Sequence, residues 1–148
     1  MPRELPGAVL FACSQNAIRS PIAAALMRHL YGSKVRVVSV GLRAGDADPF
    51  AAAVMDEIGI DLSQHRPQEF DAIGDETFDL VVSLSPEAHH RALEFTRTMA
   101  VDAEYWPTQD PSAVEGSREQ ILSAYRDVRD TLMKRIRGRF GSLAAPGV

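Results

Sequence analysis

The apolar residues of this chain fall alternately into short unbroken runs and longer periodic stripes. Ala8-Val9-Leu10-Phe11-Ala12 is an uninterrupted run that stops at Cys13, the pattern of a strand covered on both faces. Ile22, Leu26 and Leu30 follow at spacings of four, which places them on one side of a helix. Ser20 is a favoured N-cap for that helix, Pro21 suits its first position, and Gly32 closes it. Val35, Val37, Val38 and Val40 form a second β-branched run ending at Gly41, and Asp48-Pro49 repeats the cap-then-proline signal before a helix predicted from Phe50 to Ile58.

The remainder continues the alternation. Phe78 to Leu84 reads as a third buried strand, Pro86 opens a helix to about Arg97, and Ala100 to Trp106 is a weaker fourth strand broken by Pro107. Ile121, Tyr125, Val128, Leu132 and Ile136 form one stripe of a helix predicted from about Ser117 to Arg137. Residues 138–148 carry no core residue at helical spacing and are expected to be a tail. Between Asp61 and Thr77 no period dominates, and only Gln68 to Ala72 predicts a helical turn. Strands alternating with helices give an α/β fold, a parallel sheet covered on both faces. Ligands in such folds collect beyond the C-terminal ends of the strands, and Cys13 stands at one of them.

Composition narrows this picture. A chain of 148 residues with 45% hydrophobic content has room for one domain, and two would not fit. Its apolar stretches fall far short of the ~20 residues a bilayer crossing needs, and the segment around Glu4 and Pro6 does not read as a signal peptide. A cytoplasmic protein with no membrane partner is expected. Sixteen basic and twenty acidic residues give a net charge of −4, with the basic ones clustered only at Lys134, Arg135, Arg137 and Arg139, which argues against a nucleic-acid partner.

The cysteine count changes the picture most. Cys13 is the single cysteine, which excludes an internal disulfide, a Cys-x-x-Cys redox pair and a cysteine-based zinc site, and leaves an inert thiol or a nucleophile. Its neighbours favour the nucleophile. Ser14, Gln15, Asn16, Ala17 and Ile18 join a strand to a helix, so their backbone N–H groups converge at a helix N-terminus, a ready anion site. Arg19 adds a permanent charge and a two-pronged donor for an oxyanion, and Ser20 can donate its hydroxyl to the sulfur. Ser14, Gln15, Asn16, Ala17, Ile18 and Ser20 are the candidate substrate-binding residues around Cys13 and Arg19, with a tetrahedral oxyanion as their natural occupant.

The sequence resembles the low-molecular-weight protein tyrosine phosphatase family, which shares its fold with thioredoxin-coupled arsenate reductases. Cys13 through Arg19-Ser20-Pro21 matches that family's Cys-x5-Arg-Ser-Pro loop, Asn16 its loop-bracing asparagine, Ser39-Val40-Gly41 the residues after its second strand, His65 the histidine supporting the asparagine, and Asp110-Pro111 the pair before its last helix. The resemblance spans about residues 8 to 137. It implies a three-layer sandwich around a four-stranded parallel sheet, Cys13 as nucleophile, Arg19 as phosphate ligand and Asp110 as general acid. Asp48-Pro49 offers the same dipeptide, but Asp48 is expected to be a helix cap. For Asp110 the cap reading is weaker, because the last helix is predicted to start only near Ser117.

The sequence also departs from that family. Ile18 stands where many members have a second cysteine, Ser112-Ala113 replace the tyrosines that follow the Asp-Pro pair in eukaryotic members, and residues 42–47 contain no aromatic. Trp106, Phe50 and Tyr105 are expected in the core rather than around a substrate ring, and Arg43 in solvent. His89-His90 point about 100° apart on a helix, so no metal is expected, and no cofactor is implied. The resulting expectation is a phosphomonoester hydrolase acting through a phosphocysteine on a phosphorylated protein, above all phosphotyrosine, or on a small aryl phosphate, and inhibited by phosphate-like oxyanions. Two alternatives stand beside it: an arsenate reductase that borrows an external low-molecular-weight thiol, and a non-catalytic phosphate-binding module.

Overall fold

The computed structural model describes residues 5–141. Its four strands, β1 (Ala8–Cys13), β2 (Arg36–Gly41), β3 (Leu80–Ser83) and β4 (Asp102–Tyr105), are all parallel in the order β2-β1-β3-β4. The helices are α1 (Arg19–Tyr31), α2 (Pro49–Asp56), α3 (Pro86–Thr98) and α4 (Arg118–Phe140). β1 is buried at every position, as its unbroken apolar run requires. Successive side chains take opposite faces: Val9, Phe11 and Cys13 pack into the layer of α1, α2 and α4, while Ala8, Leu10 and Ala12 join Phe70, Ile73, Ala88 and Ala92 on the α3 side. The result is the expected three-layer sandwich.

This order places the functional end of the sheet. The chain leaves β1 for β2 on one side and returns to β3 on the other, so the reversal point lies at the C-terminal end of β1. In register, Cys13 stands opposite Gly41 and Ala12 opposite Ser83. The chain after β4 extends the ladder, with Trp106 N donating to Ser83 O at 2.8 Å and Thr108 N to Leu84 O at 3.1 Å. These bonds carry residues 106–110 past the same edge as Cys13.

Several sequence expectations change in detail. α1 starts at Arg19, its cap position is Ile18, and no side chain caps it. Ser20 is therefore not the N-cap: it sits fully buried in the first turn with its hydroxyl turned inward. Asp48 does cap α2, accepting from Phe50 N at 2.8 Å and Ala51 N at 3.1 Å. The turn predicted at 68–72 lies slightly later, as a 3-10 turn at Phe70–Ile73, because Phe70 and Ile73 are the residues that reach the core. α4 begins with the capping box Ser117–Gln120 and runs to Phe140, not Arg137. Phe140 continues the apolar stripe four residues beyond Ile136 and packs 6.1 Å from Tyr31 and 6.3 Å from Trp106, so the start of the expected tail is core-bearing helix. The rest of that expected tail, 142–148, lies outside the described residues.

α2 and α4 are joined by a charge network. Arg126 Nη2 meets Glu57 Oε2 at 2.8 Å, and Arg129 Nη1 bridges Glu57 Oε1 and Val54 O, each at 2.8 Å. Among the described residues no helix is long and apolar enough to cross a membrane, and no three His, Cys, Asp or Glu side chains converge as a metal site.

Candidate active site

The loop between β1 and α1 has its carbonyls and amides sorted. Leu42 N donates to Cys13 O at 3.2 Å, Arg43 N to Ser14 O at 3.0 Å and Gly45 N to Gln15 O at 2.9 Å, so the chain after β2 zips onto the outer side of the loop. The amides of Ser14, Gln15, Asn16, Ala17 and Ile18, in contrast, donate to no other described residue. Donors left unpaired at a helix N-terminus are the physical basis of an anion site. The close approach of the two segments depends on Gly41, where a Cβ would lie 2.6 Å from Asn16 N and 2.7 Å from Arg43 O.

Asn16 holds the loop in shape. It is the one non-glycine residue among those described with positive φ, at 54°, a region asparagine tolerates better than most. Its side chain is fully buried and fully engaged: Nδ2 donates to Ser20 Oγ and to Ser39 Oγ, each at 2.9 Å, and Oδ1 accepts from Gln68 N at 2.9 Å. His65 Nε2 donates to Asn16 O at 2.8 Å, and burial pushes the His65 pKa down. The pairing of His65 with Asn16 thus falls where the resemblance implied. The side chains of Asn16 and Ser20 support the loop from behind and do not line the pocket in front of it, so of Asn16 only the backbone amide is placed for binding.

That pocket holds about 100 Å³ and is lined by Cys13, Ser14, Gln15, Ala17, Ile18, Arg19, Asp110 and Ser112. Cys13 Sγ lies 3.0 Å from Ser20 Oγ at its floor. Arg19 reaches over it, Nη1 donating to Thr108 O at 3.0 Å and Nη2 standing 3.9 Å from Asp110 Oδ2. Asp110 is 46% exposed at the mouth. Its Oδ1 is tied by Ser112 N at 2.9 Å and Ser112 Oγ at 2.6 Å, so Asp110 caps the 3-10 turn Pro111–Ala113. That corrects the weak-cap expectation, because a short turn, not α4, supplies the amide. Oδ2 is left facing Arg19. On the opposite rim Ser14 Oγ donates to Ser85 Oγ at 3.1 Å and to Glu87 Oε1 at 3.3 Å.

Among the described residues, no aromatic ring lines this pocket. Trp106 is core, edge-on to Phe11 at 6.1 Å; Tyr105 stacks on His89 at 4.6 Å; Phe50 tilts against Tyr125 at 5.5 Å. Arg43 is exposed, as expected. Sequence reasoning did not single out Ser85 or Gln68. A serine before Pro86 is an N-cap signal that would have found the first, whereas nothing local marks Gln68.

The arrangement can hold a tetrahedral oxyanion on amides and a guanidinium, above a sulfur and beside a carboxyl. The family model for low molecular weight phosphotyrosine protein phosphatases matches residues 8–146. An arsenate reductase of Halalkalibacterium halodurans is 32% identical over 130 residues, covering 87% of this chain and 91% of that protein. Among solved structures, an arsenate reductase in the phosphate-binding state has a TM-score of 0.71 at 28% identity, covering 90% of this chain and 95% of its own. The tyrosine phosphatase Wzb from Escherichia coli, solved with sulphate, shares the fold with a TM-score of 0.73 at 22% identity, covering 93% and 100%. A match running from the first strand through the last helix means that this chain belongs to the low molecular weight phosphotyrosine protein phosphatase family, a cysteine-dependent group of enzymes containing both phosphatases and arsenate reductases.

Proposed function

We propose that this enzyme hydrolyses phosphomonoesters through a phosphocysteine, with aryl phosphates, above all phosphotyrosine on a protein surface, as the substrate class. The observation that carries this reading is the set of five unpaired amides and Arg19 over Cys13, with Asp110 at the mouth of the same pocket. The amides and Arg19 bind the phosphoryl oxygens and stabilise the charge spread over them as the bond to the leaving group breaks. Cys13 Sγ attacks phosphorus, the ester P–O bond breaks, and Asp110 gives the departing oxygen a proton from Oδ2. Water then attacks phosphorus, Asp110 takes its proton, and the P–S bond breaks to return the thiolate. Ser20 Oγ, 3.0 Å away, donates to that returning sulfur. A pocket of about 100 Å³ encloses the phosphoryl group and leaves the ester's organic part outside, against the exposed rim.

A second reading, arsenate reduction, draws support from the absence of an aromatic wall and from the names of the relatives. Cys13 would attack arsenate with loss of water; an external low-molecular-weight thiol would then attack the Cys13 sulfur, releasing arsenite and leaving a mixed disulfide that a second thiol reduces. With one cysteine in the chain, both electrons come from outside.

One paired assay tests these readings. Purified enzyme is given p-nitrophenyl phosphate at mildly acidic pH, and in parallel arsenate with a small thiol. The expected result is hydrolysis inhibited by vanadate, abolished in Cys13→Ser, and reduced in Asp110→Asn more for alkyl than for aryl leaving groups. Thiol oxidation dependent on arsenate, without hydrolysis, moves the assignment to the second reading. Phosphate binding with neither activity leaves a binding module.

A further inference from the structure

A larger cleft lies behind the loop, away from Cys13. It holds about 580 Å³ and is walled by α1 on one side and by residues 59–66 on the other, a size within the range of small-molecule sites. Arg28, His29, His65 and Arg66 face it, and Asp61 is the single carboxylate among its lining residues. Asp61 is already engaged, accepting from Ser63 N at 2.8 Å. Neither Arg28 nor Arg66 forms an ion pair with a described carboxylate: Arg28 Nη2 donates to Val37 O at 2.9 Å and Arg66 Nη1 to His65 O at 3.3 Å. Arg28 is exposed at the cleft wall, its pKa lowered by partial loss of water and no described carboxylate paired with it. Ile60 and Ala25, both buried, give the cleft an apolar floor.

We propose that this cleft binds a small organic polyanion, its acidic groups on Arg28 and Arg66 and its carbon skeleton on the floor, and that His65 passes occupancy to the loop holding Cys13. Two guanidiniums offer paired donors that match carboxylate or phosphoryl oxygens. His65 is the link because it belongs to both places: it lines the cleft, and its Nε2 holds Asn16 O at 2.8 Å. Arg28 from α1, Arg66 beside it, His29 and Asp61 are the charged or titratable groups facing it across the cleft. An anion among them offsets the two arginine charges, favours the imidazolium, and strengthens the bond to Asn16 O. The binding half stands alone; the relay half rests on the hydrolase reading above.

The test is a titration of ¹⁵N-labelled Cys13→Ser protein with citrate and, separately, pyrophosphate, which distinguishes carboxylate from phosphoryl recognition without turnover. Saturable shifts are expected at Arg28, His29, Ile60 and residues 64–66, with a smaller response at Asn16. Arg66→Glu, whose one bond is to its neighbour's carbonyl, should weaken binding by at least about tenfold, and Arg28→Gln serves as the second variant. Shifts confined to residues 14–20, shifts equal to those from sodium chloride, or no saturation would each overturn the site. In active enzyme, citrate should change kcat/KM for p-nitrophenyl phosphate by about fivefold or more. Saturable binding with unchanged kcat/KM overturns the relay alone.

Discussion

Asn16 shows how one side chain can set the shape of a site without touching what the site binds. Its positive φ turns the loop amides toward the pocket, and three side-chain hydrogen bonds keep it there. The two contributions are separable. Asn16→Ala loses the bonds, leaves the half-buried Gln68 amide without its acceptor, and places a Cβ in the left-handed region; Asn16→Gly loses the same bonds but tolerates the backbone. Urea unfolding should therefore find both variants destabilised by about 2–4 kcal/mol, with alanine the worse by about 1 kcal/mol. A glycine variant no more stable than the alanine variant would show that φ carries no strain. The chemistry at this scale was legible in the sequence because it is local: Cys13 and Arg19 lie six residues apart in one loop. Their supports were less so, since Gln68 and Ser85 reach the loop from 52 and 71 residues away along the chain. His65 was reached through the resemblance, not through any pattern in its own surroundings.

Among the elements, α4 gives the clearest case of a boundary that periodicity understated. The stripe Tyr125, Val128, Leu132, Ile136 extends to Phe140, which is 3% exposed and closes the gap between Tyr31 and Trp106. Gly138 and the basic residues around it mask that continuation, because helix-stop signals and core position compete there and the core wins. Phe140→Ala should cost about 3 kcal/mol in chemical denaturation. A loss below about 0.5 kcal/mol would mean that the last turn frays and the sequence-based end at Arg137 was the better one. The strands were easier to read, since a parallel sheet buried on both faces leaves continuous apolar runs. The segment from 61 to 77 was not, because its order comes from contacts with the loop and the sheet edge, such as Gly41 N to Gln68 O at 2.8 Å, and from no period of its own.

For the molecule as a whole, the distribution of perturbed groups predicts how acid takes the structure apart. Besides Arg28 and Asp61, His65 behind the loop and Glu57 between α2 and α4 are held below their ordinary pKa. His65 is lowered from 6.5 by burial, aided by the charges of Arg28 and Arg66 and opposed by its bond to Asn16. Glu57 is lowered from 4.5 to about 2 by hydrogen bonds from Arg126 and Arg129. A depressed folded pKa means that the unfolded chain binds the proton first, so each contributes stability above its unfolded value that is lost as pH falls through the folded value. The two windows do not coincide. Loss from His65 starts as pH drops below about 6.5 and involves the 59–66 segment behind the loop; loss from Glu57 spans about 4.5 to 2 and loosens α2 from α4. Thermal melts across pH should therefore decline in two stages. His65→Gln, which keeps an amide donor for Asn16 O but cannot titrate, should flatten the first stage and leave the second. Glu57→Gln should lower the melting temperature at neutral pH and flatten the second stage alone. A single decline unaffected by either substitution would place the acid sensitivity elsewhere in the molecule.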